Sequence, residues 1–410
     1  MRVAVVGAGL QGIATALDLA KNPNFDGILL GDYEFEKAKK VADLCNKKYG
    51  NKVTPVQIDV RDRKALAERI EGYDWLISLV NYYFNIDIME ACLSAGVNYI
   101  DIGGLYVVSE EQIKYHGRFK DAGLLAILGI GGCCGLDNVC ARWAADQLDT
   151  VRDVYFYCGC NDWSKTTKFF ETSYSIETIM DEFHIDPMIF RDGEWTRIPV
   201  HSESKVIQFP SPVGSQECHT ILHGEVSTIP RAFREKGIRN CSFGIGFPKD
   251  LADKLAFLHG LGFSSKEEVE VDGVKVKPVR VLKRLLDLMP DDPGAAINDC
   301  DIIRTVVNGT KDGEFVEYEL DAICRPVKEW PELMGAQVYI GGAPAWTAEL
   351  IRRGLIQEKG VLSAEECIPP MPFFEEAAKR EIYVRVTKKG MLGTDDWGAA
   401  ALKERIDQGW

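Results

Sequence analysis

Near its start the chain carries a run able to hold a dinucleotide, Gly7-Ala8-Gly9-Leu10-Gln11-Gly12, spaced as G-x-G-x-x-G. In such a turn the first glycine permits the sharp bend, the second lets backbone approach a pyrophosphate, and the third lets helix pack on strand. Leu10 and Gln11 lie between them, where helix N-terminal N–H groups and the helix dipole favour phosphate. Asp32 stands twenty positions after Gly12. A carboxylate there accepts ribose hydroxyls and repels a 2′-phosphate, so NAD is the expected cofactor.

Only strands and helices in the right order can position these residues. Apolar runs at Arg2 to Val6, Gly27 to Leu30, Thr54 to Ile58, Trp75 to Val80, Asn98 to Ile102 and Leu124 to Leu128 read as six buried strands. Helical patterns fill the gaps between them, which predicts a doubly wound, Rossmann-type parallel sheet. Ligands bind beyond the carboxyl ends of such strands. On that ground Asp59 and Val60 border the adenine, Asn81 and Tyr82 the pyrophosphate or nicotinamide ribose, and Asp101 the nicotinamide, with Gly103 beyond it toward the substrate.

After Gly135 the pattern changes. A helix is expected from Leu136 to Leu148, then alternating strands joined by Asp192-Gly193, Asp272-Gly273 and Asp312-Gly313, all hairpin signals. These predict an inserted α+β domain with a mostly antiparallel sheet. The expected division is 1–135 for dinucleotide binding, 136–330 for substrate, and 331–410 for a C-terminal return onto the first domain. In that return, Pro344 reads as the start of a helix running Ala345 to Arg353.

Composition narrows the function classes. A formal net charge of -14 argues against nucleic acid or an anionic membrane as partner. No secretory signal or membrane span is expected, so the reading is cytoplasmic. The twelve cysteines form no paired C-x-x-C knuckles and read as reduced thiols, with no metal expected.

With these residues in view, the chain resembles the saccharopine dehydrogenase superfamily, and more closely its lysine 6-dehydrogenase branch. The resemblance runs through Gly7 to Gly12, "NYYFNIDIMEACLSAGVNYIDIGG" (81–104), "LGIGGCCGLDN" (128–138), "FRDGEW", "ECHTILHGEVSTIPRAF" and "VDGVKVKP". It implies a Rossmann domain, an inserted α+β domain and an active site in the cleft between them. That makes His219 to Arg231 the substrate-facing segment.

Oxidising a C–N bond needs a neutral amine, hence a base to take its proton and later to activate water. The candidate bases are Glu225 and Asp101 among the acids and His219 and His223 among the histidines, with Glu225 and His223 the leading pair. His219, Thr220 and Gly103 are expected to line the substrate site, and Arg231 to offer a donor fork to a substrate carboxylate. His219 and His223 stand four apart, but "TIL" and "EVSTIP" look extended and show no third ligand, so metal is not expected. The leading expectation is NAD-dependent oxidative deamination of a lysine-like side chain. The alternatives are reductive condensation of saccharopine or carboxyspermidine type, and an NAD-binding sensor or scaffold without turnover. The substrate would be an amino acid or polyamine-like small molecule, and the protein a homo-oligomer.

Overall fold

The computed structural model describes residues 1–167, 170, 172–290, 292 and 296–390. Its first part alternates strand and helix: β1 (Arg2–Val6), α1 (Gly12–Lys21), β2 (Gly27–Asp32), α2 (Phe35–Tyr49), β3 (Val53–Gln57), α3 (Arg63–Ile70) and β4 (Trp75–Ser78). It continues through α4 (Asn85–Ala95), β5 (Asn98–Asp101), α5 (Tyr106–Ile113), α6 (His116–Asp121), β6 (Leu125–Leu128) and α7 (Leu136–Asp146). The second part contains β7 (Thr150–Asp162), α8 (Ile176–Glu182), β8 (Met188–Arg191), β9 (Glu194–Arg197), β10 (Ser204–Gln208), β11 (Ser215–Thr220), α9 (Glu225–Ala232) and β12 (Asn240–Gly246). Then come α10 (Lys249–Gly260), β13 (Val269–Val271), β14 (Val274–Val276), α11 (Pro278–Asp287), β15 (Asp299–Lys311) and β16 (Glu314–Cys324). The return holds α12 (Gly335–Arg352), β17 (Gly360–Ser363) and β18 (Tyr383–Gly390).

Two sheets result. The first has the order β17-β6-β5-β4-β1-β2-β3, every pair parallel, and is a Rossmann-type sheet. Its strand order reverses at β1, so β1 and β4 border the crevice where a ligand sits. The second runs β10-β11-β12-β7-β15-β16-β18, with β8 and β9 attached through β12. All its pairings are antiparallel except β12 with β7. Each of the three Asp-Gly pairs closes a hairpin, and in each both residues have positive φ, as the mirror-image turn requires.

Three local expectations are corrected. "EVSTIP" is helical, not extended: it forms α9 with Pro230 inside it. Proline has no N–H for the Val226 carbonyl four residues back, and the indole N–H of Trp195 donates to that carbonyl instead, at 2.9 Å. Pro344 does not start a helix but sits inside α12, which begins nine residues earlier and is buried along most of its length. Burial outweighs the helix-breaking tendency there. Finally, β18 does not lie on the first sheet; it pairs with β16 in the second. Residues 391–410 of the expected return lie outside the described residues.

The docking of α12 onto α1 steadies the glycine turn. Gly341 lies so close that a Cβ there would stand 2.4 Å from the Gln11 carbonyl oxygen and 2.8 Å from the Ala14 methyl. Thr15 Oγ1 donates to the Gly341 carbonyl, and Gln337 Nε2 donates to the Leu10 carbonyl at 2.9 Å. Deeper along the same face, Trp346 Nε1 donates to the buried Asp18 carboxylate at 3.0 Å. Among the described residues no helix is long and apolar enough to cross a membrane.

This packing predicts that Gly341→Ala lowers stability by about 1–3 kcal/mol through overpacking, although alanine is the better helix former by about 1 kcal/mol. Urea unfolding checks it, and an unchanged or raised midpoint would mean that α12 stands off α1.

Candidate active site

The cofactor side is built by the first sheet. Gly7 has φ +103° and donates its N–H to the Gly31 carbonyl at 2.8 Å. A Cβ on Gly12 would fall 1.9 Å from the Gly7 carbonyl oxygen, so only glycine lets α1 approach. A Cβ on Gly9 would meet nothing within 4 Å. That open space at the start of α1 fits a pyrophosphate, so the residues present suit a nicotinamide dinucleotide. Asp32 ends β2 and accepts the Ala8 N–H at 2.8 Å and the Glu34 N–H at 2.9 Å. It therefore ties the end of β2 to the glycine turn.

Other expected cofactor residues are placed differently. Asp59 and Val60 follow β3, and Asp59 is held bidentately by Arg61, whose guanidinium lies 5.2 Å from the Tyr33 ring. The Gln11 side chain reaches away from the turn to the Ser173 carbonyl at 3.5 Å. Asn81 caps a short turn by accepting the Tyr83 N–H at 3.0 Å. The Tyr82 and Tyr83 hydroxyls both donate to Asp181 of α8, and Lys266 Nζ lies 2.6 Å from the other oxygen of that carboxylate. Tyr82 thus ties the loop after β4 to α8 of the second part of the chain.

Asp101 requires correction. It is 1% exposed, and its carboxylate accepts from the Gly103 and Gly129 N–H groups at 2.8 Å, Gln112 at 2.7 Å, Tyr99 at 3.0 Å and Asn85 at 3.2 Å. Burial holds its carboxyl above the usual carboxylate range, opposed by these donors. With both oxygens consumed, Asp101 organises the ends of β5 and β6 and has no oxygen left for a cofactor.

The glycine-rich crossing from Leu128 to Asn138 joins β6 to α7 and is buried along almost its whole length. Cys134 packs among three glycines from three elements: a Cβ on Gly103, Gly129 or Gly224 would lie 3.2, 2.8 or 2.6 Å from a Cys134 side-chain atom. Gly103, expected at the substrate, instead supplies room for this thiol. Gly224 precedes α9 and so brings His223 and Glu225 to the same place. His223 stacks on Phe243, ring centroids 4.1 Å apart, and its Nδ1 meets Glu225 Oε2 and lies 3.8 Å from Cys134 Sγ. Asp137, which its place in the glycine-rich crossing did not single out, joins them. It is fully buried at the start of α7, with Oδ1 accepting from Gly135 and Asn138 N–H groups at 3.0 and 2.8 Å, and it hydrogen-bonds to Glu225.

Two carboxyl groups in contact away from water cannot both be ionised. Burial pushes Glu225 up to about 7, and burial together with the neighbouring Glu225 holds Asp137 far above the usual carboxylate range. Burial also pulls the His223 imidazole down, opposed by Glu182 and Asp137. Asp137 Oδ2 and Glu225 Oε1 are buried without a hydrogen-bond partner, and a proton kept on one of these neighbouring carboxyls supplies the donor they lack. The donor atoms of Cys134, His223 and Glu225 fall within 4.8 Å of one another. Cys134 is the third donor that "HTILH" lacks, but that retained proton already accounts for the neighbouring carboxyls, and we assign no metal. Burial raises the Cys134 thiol, so nothing marks it as a nucleophile.

Arg231 is not where the sequence suggested. At the far end of α9 from Glu225, it pairs with Glu110 of α5 at 2.9 Å and stacks 4.8 Å from the Trp195 ring centroid. A substrate carboxylate would have to displace Glu110. His219 does not join His223 either; its ring lies 5.9 Å from that of His201, and its Nδ1 has no partner. Thr220, the last residue of β11, pairs with Gly244 of β12.

Comparison with known proteins matches residues 3–127 to the saccharopine dehydrogenase NADP binding domain and residues 131–382 to the saccharopine dehydrogenase C-terminal domain. The chain is 29% identical to carboxynorspermidine synthase of Vibrio alginolyticus, over 92% of this chain and 94% of that one. It is 27% identical to carboxyaminopropylagmatine dehydrogenase of Synechocystis sp., over 96% and 100%. Among solved structures, apo saccharopine dehydrogenase (L-Glu forming) from Saccharomyces cerevisiae aligns with a TM-score of 0.69 at 15% identity, over 95% of this chain and 99% of that one.

The buried acid set predicts how stability depends on pH. Glu225 binds its proton more tightly folded than unfolded, so between about 4.5 and about 7 the folded state holds the extra proton. Stability therefore falls as pH rises through that window. Glu225→Gln should flatten the fall and melt higher than wild type at about pH 8, measured by thermal melts against about pH 5. A steeper fall in the variant would rule out the neutral state of Glu225.

Proposed function

The chain belongs to the saccharopine dehydrogenase family, and from that premise we propose that it is a nicotinamide-dependent oxidoreductase working on a C–N bond in the direction of reductive condensation. An amine and a carbonyl compound would lose water to give an imine, which is reduced to a secondary amine. Its substrates are polyamine-like and carry a carboxylate. The observation that carries this reading is end-to-end similarity to two enzymes named for carboxylated polyamines. It favours the condensation alternative over the lysine 6-dehydrogenase reading.

The geometry supports the same chemistry. The nicotinamide would supply the hydride, with Gly7, Gly9 and Gly12 at the pyrophosphate and Asp32 at the ribose. Imine formation needs a proton for the departing hydroxyl, and the amine must first lose its own proton. Glu225, pushed up to about 7, can do both near neutrality. Asp137 acts through it as the neighbouring carboxyl that keeps a proton in the pair, and His223 orients it through the Nδ1 contact. Phe243 beneath His223 and the glycines around Cys134 exclude water that would hydrolyse an imine.

For the cofactor we propose NAD, although the family domain is described as NADP-binding. Asp32 brings negative charge to the ribose end, and the cation beside it, Arg61, is already neutralised by Asp59. NAD should bind more tightly than NADP, and Asp32→Ala should weaken it selectively by about 1.5–3 kcal/mol. Fluorescence titration checks both; tighter NADP binding would instead assign Arg61 to a 2′-phosphate.

Reduced cofactor should be consumed only when an amine such as a diamine and an amino-acid aldehyde or keto acid are both present. Fast turnover of lysine with oxidised cofactor alone would sink the condensation reading. The reductive rate should fall as pH rises through about 7, where Glu225 loses its proton. Glu225→Gln should lower kcat by roughly 10²–10⁴-fold. Asp137→Asn should chiefly move that limb of the pH profile, since it acts through Glu225.

A further inference from the structure

Glu182 takes no part in the chemistry above. It ends α8, is 2% exposed, and accepts the Tyr174 hydroxyl on one oxygen at 2.6 Å. Among the described residues no group donates to its other oxygen, and no lysine or arginine pairs with it. Lys266, the cation at this end of α8, pairs with the neighbouring Asp181 instead. The charges that act on Glu182 are those of His223, Asp181 and Glu225, and burial pushes it up to about 7. A buried carboxyl beside other carboxyls, with no cation of its own, is a place that an arriving cation stabilises.

Tyr174 and Glu182 stand between the glycine turn and the acid set. Ser173, next to Tyr174, receives the Gln11 side chain from the glycine turn at 3.5 Å. Gln11 is itself buried, and its Oε1 has no partner. At the other end Glu182 and His223 act on each other's charge, and His223 meets Glu225. A molecule lying between the turn and Glu225 therefore passes this pair. It finds two unfilled acceptors there, an oxygen of Glu182 and the amide oxygen of Gln11, while the Tyr174 hydroxyl is spent on Glu182. Acceptors in excess call for a ligand rich in N–H donors, and the carboxyl selects a cationic one. A metal ion fits poorly, because the described donor atoms that converge are those of Cys134, His223 and Glu225, without Glu182.

We propose that Glu182 holds the second, non-reacting ammonium of a diamine substrate, with Tyr174 positioning it and Gln11 Oε1 as a further acceptor. The assignment rests on the condensation reading, in which Glu225 frees one amine for attack. The other nitrogen of a diamine stays protonated near neutrality, as a lysine side chain does. It then supplies the cation and the N–H donors that Glu182 and Gln11 lack. Glu182 thereby sets specificity, favouring an amine with a second ammonium at its far end over one that ends in a methyl group. An ammonium beside Glu182 also favours its ionised form, so diamine binding releases a proton from the Tyr174–Glu182 pair.

Calorimetric titration of the full chain holding oxidised cofactor tests this, with putrescine against butylamine, its match with one ammonium. Wild type should bind putrescine about ten- to a hundredfold more tightly than butylamine. Glu182→Gln should abolish that preference and leave butylamine unchanged. Titration in two buffers of different ionisation enthalpy counts protons. Putrescine should release more of them than butylamine in wild type, and the same number in Glu182→Gln. Tyr174→Phe, which loosens Glu182 without removing it, should lower the preference several-fold and serves if the glutamine variant unfolds. In turnover, Glu182→Gln should raise KM for the diamine by about the same factor while kcat holds, unlike Glu225→Gln. Equal binding of the two amines by wild type, or a preference kept by both variants, overturns the proposal. Turnover separates it from the reading beneath it. Diamine preference without consumption of reduced cofactor sinks the condensation reaction and keeps the ammonium site, whereas condensation without diamine preference does the reverse.

Discussion

Asp137 and Glu225 are fully buried beside a largely buried His223, and in that setting net charge on the three is costly. Isolated charges there would cost far more than the fold can supply, so protons are distributed where full ionisation would otherwise occur. This constraint explains why the surrounding backbone is so rich in glycine. Gly103, Gly129 and Gly224 bring three chain segments around Cys134 at distances no side chain would allow. The crossing from the first sheet into α7 is thereby held against the first turn of α9, and the acid set is assembled from both sides of that seam.

The seam stays closed because neighbouring polar groups are also fully used. Asp101 gathers five donors at the ends of β5 and β6 and fixes the level at which the crossing begins. Asn138 Nδ2 donates to Glu365 at 2.8 Å, which ties α7 to the C-terminal return. That return also carries α12, whose small residues lie against α1 and support the phosphate turn. The C-terminal return thus contacts both the crossing that carries Asp137 and the helix that follows the glycine turn.

Across the cleft the contacts are of another kind. Tyr82 and Tyr83 meet Asp181 and Lys266 through long polar side chains, not through packed backbone. Tyr82 also packs against Leu105 and Leu222, so these polar ties sit beside a small apolar seam.

How much of this was legible in the sequence follows from the range of each interaction. The glycine turn, Asp32, the six parallel strands and the three Asp-Gly hairpins are local matters of backbone geometry and side-chain period, and residue order states them directly. Glu225 and His223 were also legible, because they stand two apart and bracket a glycine. Asp137 was not, since it reaches Glu225 from eighty-eight positions away through a crossing that reads only as apolar and glycine-rich. Asp101 and Arg231 were misjudged for one physical reason. A charged residue at a strand or helix end looks available in sequence, but whether its oxygens or nitrogens are free depends on partners from distant segments: Gln112 and Gly129 for one, Glu110 and Trp195 for the other. The helix at α9 was hidden likewise, because a proline inside a helix is tolerated only when another group, here the Trp195 indole, bonds the carbonyl it leaves bare. Local rules determined which elements form, and tertiary burial decided which ionisable groups are used up in building them and which remain for chemistry.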